Sequence, residues 1–157
     1  KAKGLYSGAL DGAWGPLSRE AYERLLGGFQ APPAAIPSQG EEWVWLQATG
    51  ALYRRGQRIA VGYSGRGPAR NNPGREHVRA EGPIPKGRYA IGGARTSAKT
   101  GPVVMDLTPV GHDARGRSAF QIHGDNAAGD ASSGCIILPR AVREQINAER
   151  SAGLWVI

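Results

Sequence analysis

The stretch FQIHGDNAAGDASSGCIIL, from Phe120 to Leu138, decides how this chain is read. It holds the only cysteine of the sequence, Cys135, 12 positions after His123, one of three histidines. Side chains alternate faces along a strand, so Phe120 and Ile122 turned into a core leave Gln121 and His123 on the opposite side. His123 then sits at a strand end, facing a cleft. Gly124 permits a turn, a loop of small polar residues (Asp125 to Ser133) comes next, and apolar sequence resumes after Gly134 and Cys135. A free cysteine beside an apolar run is ordinarily a small buried hydrophobe, and a lone histidine ordinarily a structural one. Brought together by this loop, a thiol and an imidazole suit acyl transfer: the imidazole takes the thiol proton and returns it to a leaving amine. Ser132 and Ser133 are small polar side chains suited to orienting a substrate. Gly134 allows close approach of backbone to a carbonyl, and the amides of Ser133 to Cys135 are candidate oxyanion donors. Asp125 and Asp130 read most simply as loop caps, and Asp125 is kept as a candidate substrate contact.

Outward from this stretch, short strands separated by glycine turns are expected at 43–47, 51–55, 58–63, 88–92, 103–107 and 119–123. Pro139 suits the first turn of a helix in which Val142 and Ile146 share a face, and Gly153 ends it before a last strand, LWVI. The fold class is α+β, mainly β: a largely antiparallel sandwich or barrel with a short N-terminal helix and one C-terminal helix. Ser18 caps the first of these, and Gly27 and Gly28 stop it. Residues 31–41, rich in Pro and Ala, read as a linker between segment 1–30 and a main domain at 42–157.

With 157 residues the chain supports one well-buried domain and a small appendage. One cysteine cannot form an internal disulfide. No stretch approaches the ~20 apolar residues of a membrane span, so no stable membrane insertion is expected, and KAKGLYSG lacks a signal peptide's apolar core. A net charge of +7 favours a polyanionic partner. The arginines are scattered among glycines and prolines without the aromatic pattern of a single-strand binder, which argues against nucleic acid and leaves an acidic membrane face or a carboxylate-bearing wall polymer.

Tyr63 and Ser64 open a long polar segment between strands, the usual place for a substrate lid, and are candidate substrate contacts. Arg140, in the first turn after Pro139, is a candidate for a carboxylate. Trp43 and Trp45 share a strand face and suit core packing better than sugar stacking. A zinc amidase built on His77, His112, His123 and Asp125 is the competing enzymatic reading, although no HExxH motif supports it. A non-catalytic wall-binding module is the third. All three histidines precede Cys135, which excludes the cysteine-then-histidine order of papain-like peptidases.

IHGDNAAGDASSGCIIL resembles the signature of the L,D-transpeptidase catalytic domain, in which a strand ending Ile-His-Gly leads to Ser-His-Gly-Cys. GPIPKGRYAIG (Gly82 to Gly92) is similar to that family's Pro-x-Gly turn. GYSG, NNP and ASSGCIILPR resemble more narrowly the L,D-transpeptidase-type effectors of type VI secretion. Ser133 stands where the family pattern has histidine, Ile137 where it has arginine or asparagine, and the His-to-Cys interval is shorter. The resemblance implies a β-rich fold without a cofactor or metal, with Cys135 as nucleophile, His123 as base and the Gly124 carbonyl orienting the imidazole. It implies action on the tetrapeptide stems of peptidoglycan, secretion into the periplasm of a target bacterium, an immunity protein in the producer, and carriage by a secretion-system component. YSGALDGAWGPLSREAY near the N-terminus is similar to half of a peptidoglycan-binding module.

Overall fold

The computed structural model describes residues 40–157. The segment read as wall-binding (1–30), its helix after Ser18, and nearly all of the linker lie outside the described residues. The described residues are mainly β, with a single α-helix.

The strands are β1 (Trp43–Leu46), β2 (Ala51–Arg54), β3 (Gln57–Val61), β4 (Tyr63–Ser64), β5 (Gly87–Ile91), β6 (Arg95–Ser97), β7 (Gly101–Val110), β8 (Phe120–His123), β9 (Ile136–Ile137) and β10 (Leu154–Val156). They hydrogen-bond in the order β3-β2-β1-β10-β5-β7-β8-β9-β4, with β6 paired to β7. The two ends of that order, β3 and β4, are separated in the chain by Gly62 alone. The sheet therefore curls until its edges approach, giving a nearly closed barrel. Gly62 sits at the seam, where its amide donates to the Gly50 carbonyl at 2.8 Å and any side chain would strike the Ile137 carbonyl.

Alternation built this barrel. Trp43, Trp45, Leu52, Tyr89, Ile91, Met105, Leu107, Phe120, Ile122, Ile136, Leu154 and Val156 form one buried cluster, and members that share a strand stand two residues apart. Registered pairs keep the cluster on one face: Trp43 beside Leu154, Trp45 beside Val156, Met105 beside Ile122, Ile122 beside Ile136. Both tryptophans are core residues, fully buried.

Two departures from a purely antiparallel sheet matter. β1 pairs parallel with β10, so the start and end of the described chain lie side by side. β8 pairs parallel with β9 across a crossover of twelve residues, Gly124 to Cys135, about the minimum such a connection needs. The helix α1 (Arg140–Ala148) packs Ile146 into the core as its spacing predicts, but the buried face also carries Arg143.

Ile122→Ala removes a fully buried side chain lying between Met105 and Ile136. It should cost about 2–5 kcal/mol of unfolding free energy in a denaturant titration. Val61→Thr, at an exposed position, should stay within about 0.5 kcal/mol of the parent.

Candidate active site

The parallel register sets the site. Ile122 and Ile136 point inward, so Gln121, His123 and Cys135, each one residue away, point to the outer face of the sheet. His123 and Cys135 become diagonal neighbours on that face. Both line one cleft of about 550 Å³, together with Arg79, Ser97, Lys99, Thr100, Arg117, Gln121, Ser133 and Gly134.

His123 Nδ1 lies 2.7 Å from the Gly124 carbonyl oxygen. A carbonyl only accepts, so Nδ1 carries the proton and Nε2 is left as the basic nitrogen. Burial lowers the imidazole pKa, the Gly124 bond acts against it, and the charges of Arg143 and Lys99 reinforce it. Burial likewise pushes the Cys135 thiol up, with a backbone hydrogen bond from Gln121 and the charges of Lys99 and Arg117 partly offsetting it. Burial thus favours the neutral form of both the imidazole and the thiol. The thiol itself lies 3.9 Å from the Ala119 carbonyl.

The loop between them is clamped from inside the fold. Ser132 Oγ accepts from the Gly65 amide (2.8 Å) and the Gly134 amide (3.2 Å), and donates to the Cys135 carbonyl (2.6 Å). Ser64 Oγ accepts from the Ile84 amide at 2.8 Å and donates to the Gly134 carbonyl at 3.1 Å. Tyr63 donates to Asp125 Oδ1 at 2.5 Å and accepts from the Ala131 amide at 3.1 Å. Burial, then the Asp125 bond, hold the Tyr63 pKa up at about 12, so this hydroxyl keeps its proton. Gly134 has φ +127, and a Cβ there would lie 2.5 Å from Arg117 Nη2, so only glycine fits.

Of the residues singled out in the sequence, His123, Ser133, Gly134 and Cys135 line the cleft. Tyr63, Ser64 and Ser132 are buried posts beneath the loop, with their hydroxyls occupied. Asp125 is tied to Tyr63 and to the Asn126 amide, and Arg140 pairs with Glu144 on an exposed face of α1. None of these five lines the cleft. The amide of Gly134, one of the three candidate oxyanion donors, is taken by Ser132. His112 is fixed at both nitrogens, by the Arg88 carbonyl (2.9 Å) and the Ala114 amide (3.2 Å). Among the described residues no three His, Cys, Asp or Glu side chains are grouped so as to hold a metal ion. No described helix is long and apolar enough to cross a membrane.

Sequence reasoning missed two buried arginines. Arg117 donates to the carbonyls of Glu76 (2.6 Å), Pro83 (2.8 Å), Gly82 (2.9 Å) and Ser133 (3.1 Å). Arg143 donates to those of Leu138 (3.0 Å), Pro102 (2.6 Å) and Val103 (2.9 Å), and its Nη2 closes over Gly124, where a Cβ would lie 2.9 Å away. Neither has a carboxylate partner among the described residues. Partners that are backbone carbonyls leave no sequence pattern; only the apolar spacing of α1 brings Arg143 onto a buried face.

The pH dependence of Cys135 alkylation by iodoacetamide tests this environment. Because burial disfavours the thiolate, the rate should rise with a midpoint on the alkaline side of an ordinary cysteine, about 8.5. A midpoint on the acid side would contradict the geometry.

The Tlde1 domain family model matches residues 58–153, more than half of the chain, and that span takes in every residue lining the cleft. No curated protein and no solved structure matches the chain. With the matched span enclosing the strand, the crossover loop and the helix that build the site, the chain belongs to the Tlde1 domain family, effectors of type VI secretion with L,D-transpeptidase-like character.

Proposed function

We propose that this effector cleaves the tetrapeptide stems of peptidoglycan through a Cys135 acyl-enzyme. His123 Nε2 takes the proton from Cys135 Sγ, and the sulfur attacks the carbonyl carbon on the L-centre of the stem's diamino acid. The carbon–nitrogen bond to the terminal D-alanine then breaks. His123 delivers its proton to the departing amine, leaving a thioester. Water, or the amine of another D-amino acid, attacks that thioester; His123 takes the incoming proton and returns it to sulfur. With water the enzyme is an L,D-carboxypeptidase, and with an amine it performs L,D-transpeptidase exchange.

The observation that carries this reading is the convergence of His123 and Cys135 on one cleft, with Nδ1 committed to Gly124 and Nε2 left basic. Ser133 and Gly134 line the wall beside the sulfur. With the Gly134 amide occupied, the oxyanion falls to the amides of Ser133 and Cys135. Gly124 acts through its carbonyl as the positioning group for the imidazole. Ser132, Ser64, Tyr63 and Asp125 hold the loop rather than the substrate. The charge of +7 suits a carboxylate-rich polymer. The reaction takes place in the periplasm of a target bacterium, after delivery by a secretion-system component, and the producing cell is protected by an immunity protein.

Digestion of purified tetrapeptide muropeptides, read by mass spectrometry, should convert stems to tripeptides with release of D-alanine. Cys135→Ala should abolish the conversion, and His123→Ala should slow it by about 10²- to 10⁴-fold. Activity that survives Cys135→Ala but disappears with a chelator would support a metal amidase instead. Wall binding without turnover would support a binding module. Because burial lowers the His123 pKa, its base form persists to lower pH than usual. The acid limb of kcat/KM should therefore lie below the ordinary imidazole value of about 6.5, activity falling as pH drops through it.

A further inference from the structure

The cleft is lined by three cations, Arg79, Lys99 and Arg117, and by no aspartate or glutamate. Their donors are not equally available. Arg117 spends its guanidinium on four carbonyls, and Arg79 donates to the Gly116 carbonyl at 3.2 Å. Lys99 is exposed in the turn between β6 and β7, and its ammonium has no hydrogen bond or ion pair among the described residues. Beside it, Thr100 Oγ1 is shielded and lacks any partner in the protein. Buried hydroxyls are normally satisfied, and this one is an exception.

The turn is also held at a cost. Val103 adopts φ 57 where the β6–β7 register slips, a left-handed conformation that a β-branched residue resists. Arg143 pins that bulge through the carbonyls of Pro102 and Val103. Bulges bend a strand and re-aim the neighbouring turn, and strained residues persist where the surrounding fold over-determines them. Here the aimed element is the tip carrying Lys99 and Thr100.

We propose that Lys99 is a specificity-determining residue that binds the free α-carboxylate of the leaving D-amino acid, so that the cleft selects uncapped stem ends. This rests on the acyl-transfer reading above for which side of the cleft is the leaving side. The leaving amine must stand at His123 to be protonated, and its carboxylate is carried on the adjoining carbon. Arg143 joins the bulge beneath the Lys99 turn to Gly124, the residue after His123, whereas Arg117 is bonded to the Ser133 carbonyl on the Cys135 side. Lys99 is therefore the cation on the leaving-group side.

The test uses the full chain and two synthetic stem tetrapeptides, one ending in free D-alanine and one in D-alaninamide. The parent should prefer the carboxylate peptide by about tenfold to a hundredfold in kcat/KM, the range of one charge-assisted contact. Lys99→Met should collapse the ratio towards one, chiefly by raising KM for the carboxylate peptide, and Lys99→Arg should keep most of it. The binding arm titrates the same peptides into Cys135→Ala by calorimetry, with and without Lys99→Met, and should show the same preference gained and lost. No preference in the parent, or equal losses on both peptides in Lys99→Met, would overturn the proposal. Failure of the parent to turn over either peptide would overturn the thiol mechanism, while the binding arm would still decide the carboxylate contact.

Discussion

Ile122 and Ile136 meet across the parallel β8–β9 ladder, both fully buried, and that contact decides where everything outside the barrel lies. Burying each is worth about 1.5–3 kcal/mol, so the register resists a slip. A slip of one residue would turn His123 and Cys135 inward and strand their polar atoms in the core. The twelve-residue crossover is free to be polar because it does not contribute to the core. Its position is set instead by Tyr63, Ser64 and Ser132, whose hydroxyls reach both of its ends. The last pair of the sheet, β4 against β9, thus supports the geometry of the cleft.

The electrostatics are equally constrained. Arg117 and Arg143 are guanidiniums taken out of water and satisfied by seven backbone carbonyls between them. Carbonyls satisfy the donors without cancelling the charge, so the ground around the thiol and imidazole stays positive. That field discourages protonation of His123 and favours charge on sulfur, against a burial that disfavours it. In the proposed acyl transfer, this fixed positive charge would act on negative charge that develops during reaction, which is where such stabilisation speeds chemistry.

Much of the barrel was legible because its strands alternate cleanly: Trp43 and Trp45, Tyr89 and Ile91, Phe120 and Ile122 all face the core as the pattern requires. Pro139 and Ile146 likewise marked the helix. β6 and β9 were not legible, since two or three residues carry no period to read. Parallel pairing of β8 with β9 was invisible for the same reason. In the site, His123 and Cys135 stood out by residue type and flanking glycines. Tyr63 and Ser64 looked like lid residues because polarity alone does not say whether a hydroxyl is exposed; in a two-residue strand at the barrel seam both are buried. Lys99 is an ordinary surface lysine in sequence, and only the bulge at Val103 directs its turn to the cleft.

The central claim is a covalent one, that the stem peptide passes through a thioester on Cys135. Acid-quenched reactions of the full chain with tetrapeptide muropeptide, analysed by intact-mass and peptide-mapping mass spectrometry, test it most directly. An adduct with the mass of the stem acyl group less D-alanine is expected, confined to the Cys135 peptide and absent from Cys135→Ala. Continued release of D-alanine by an enzyme that carries no adduct, and by the Cys135→Ala variant, would contradict it.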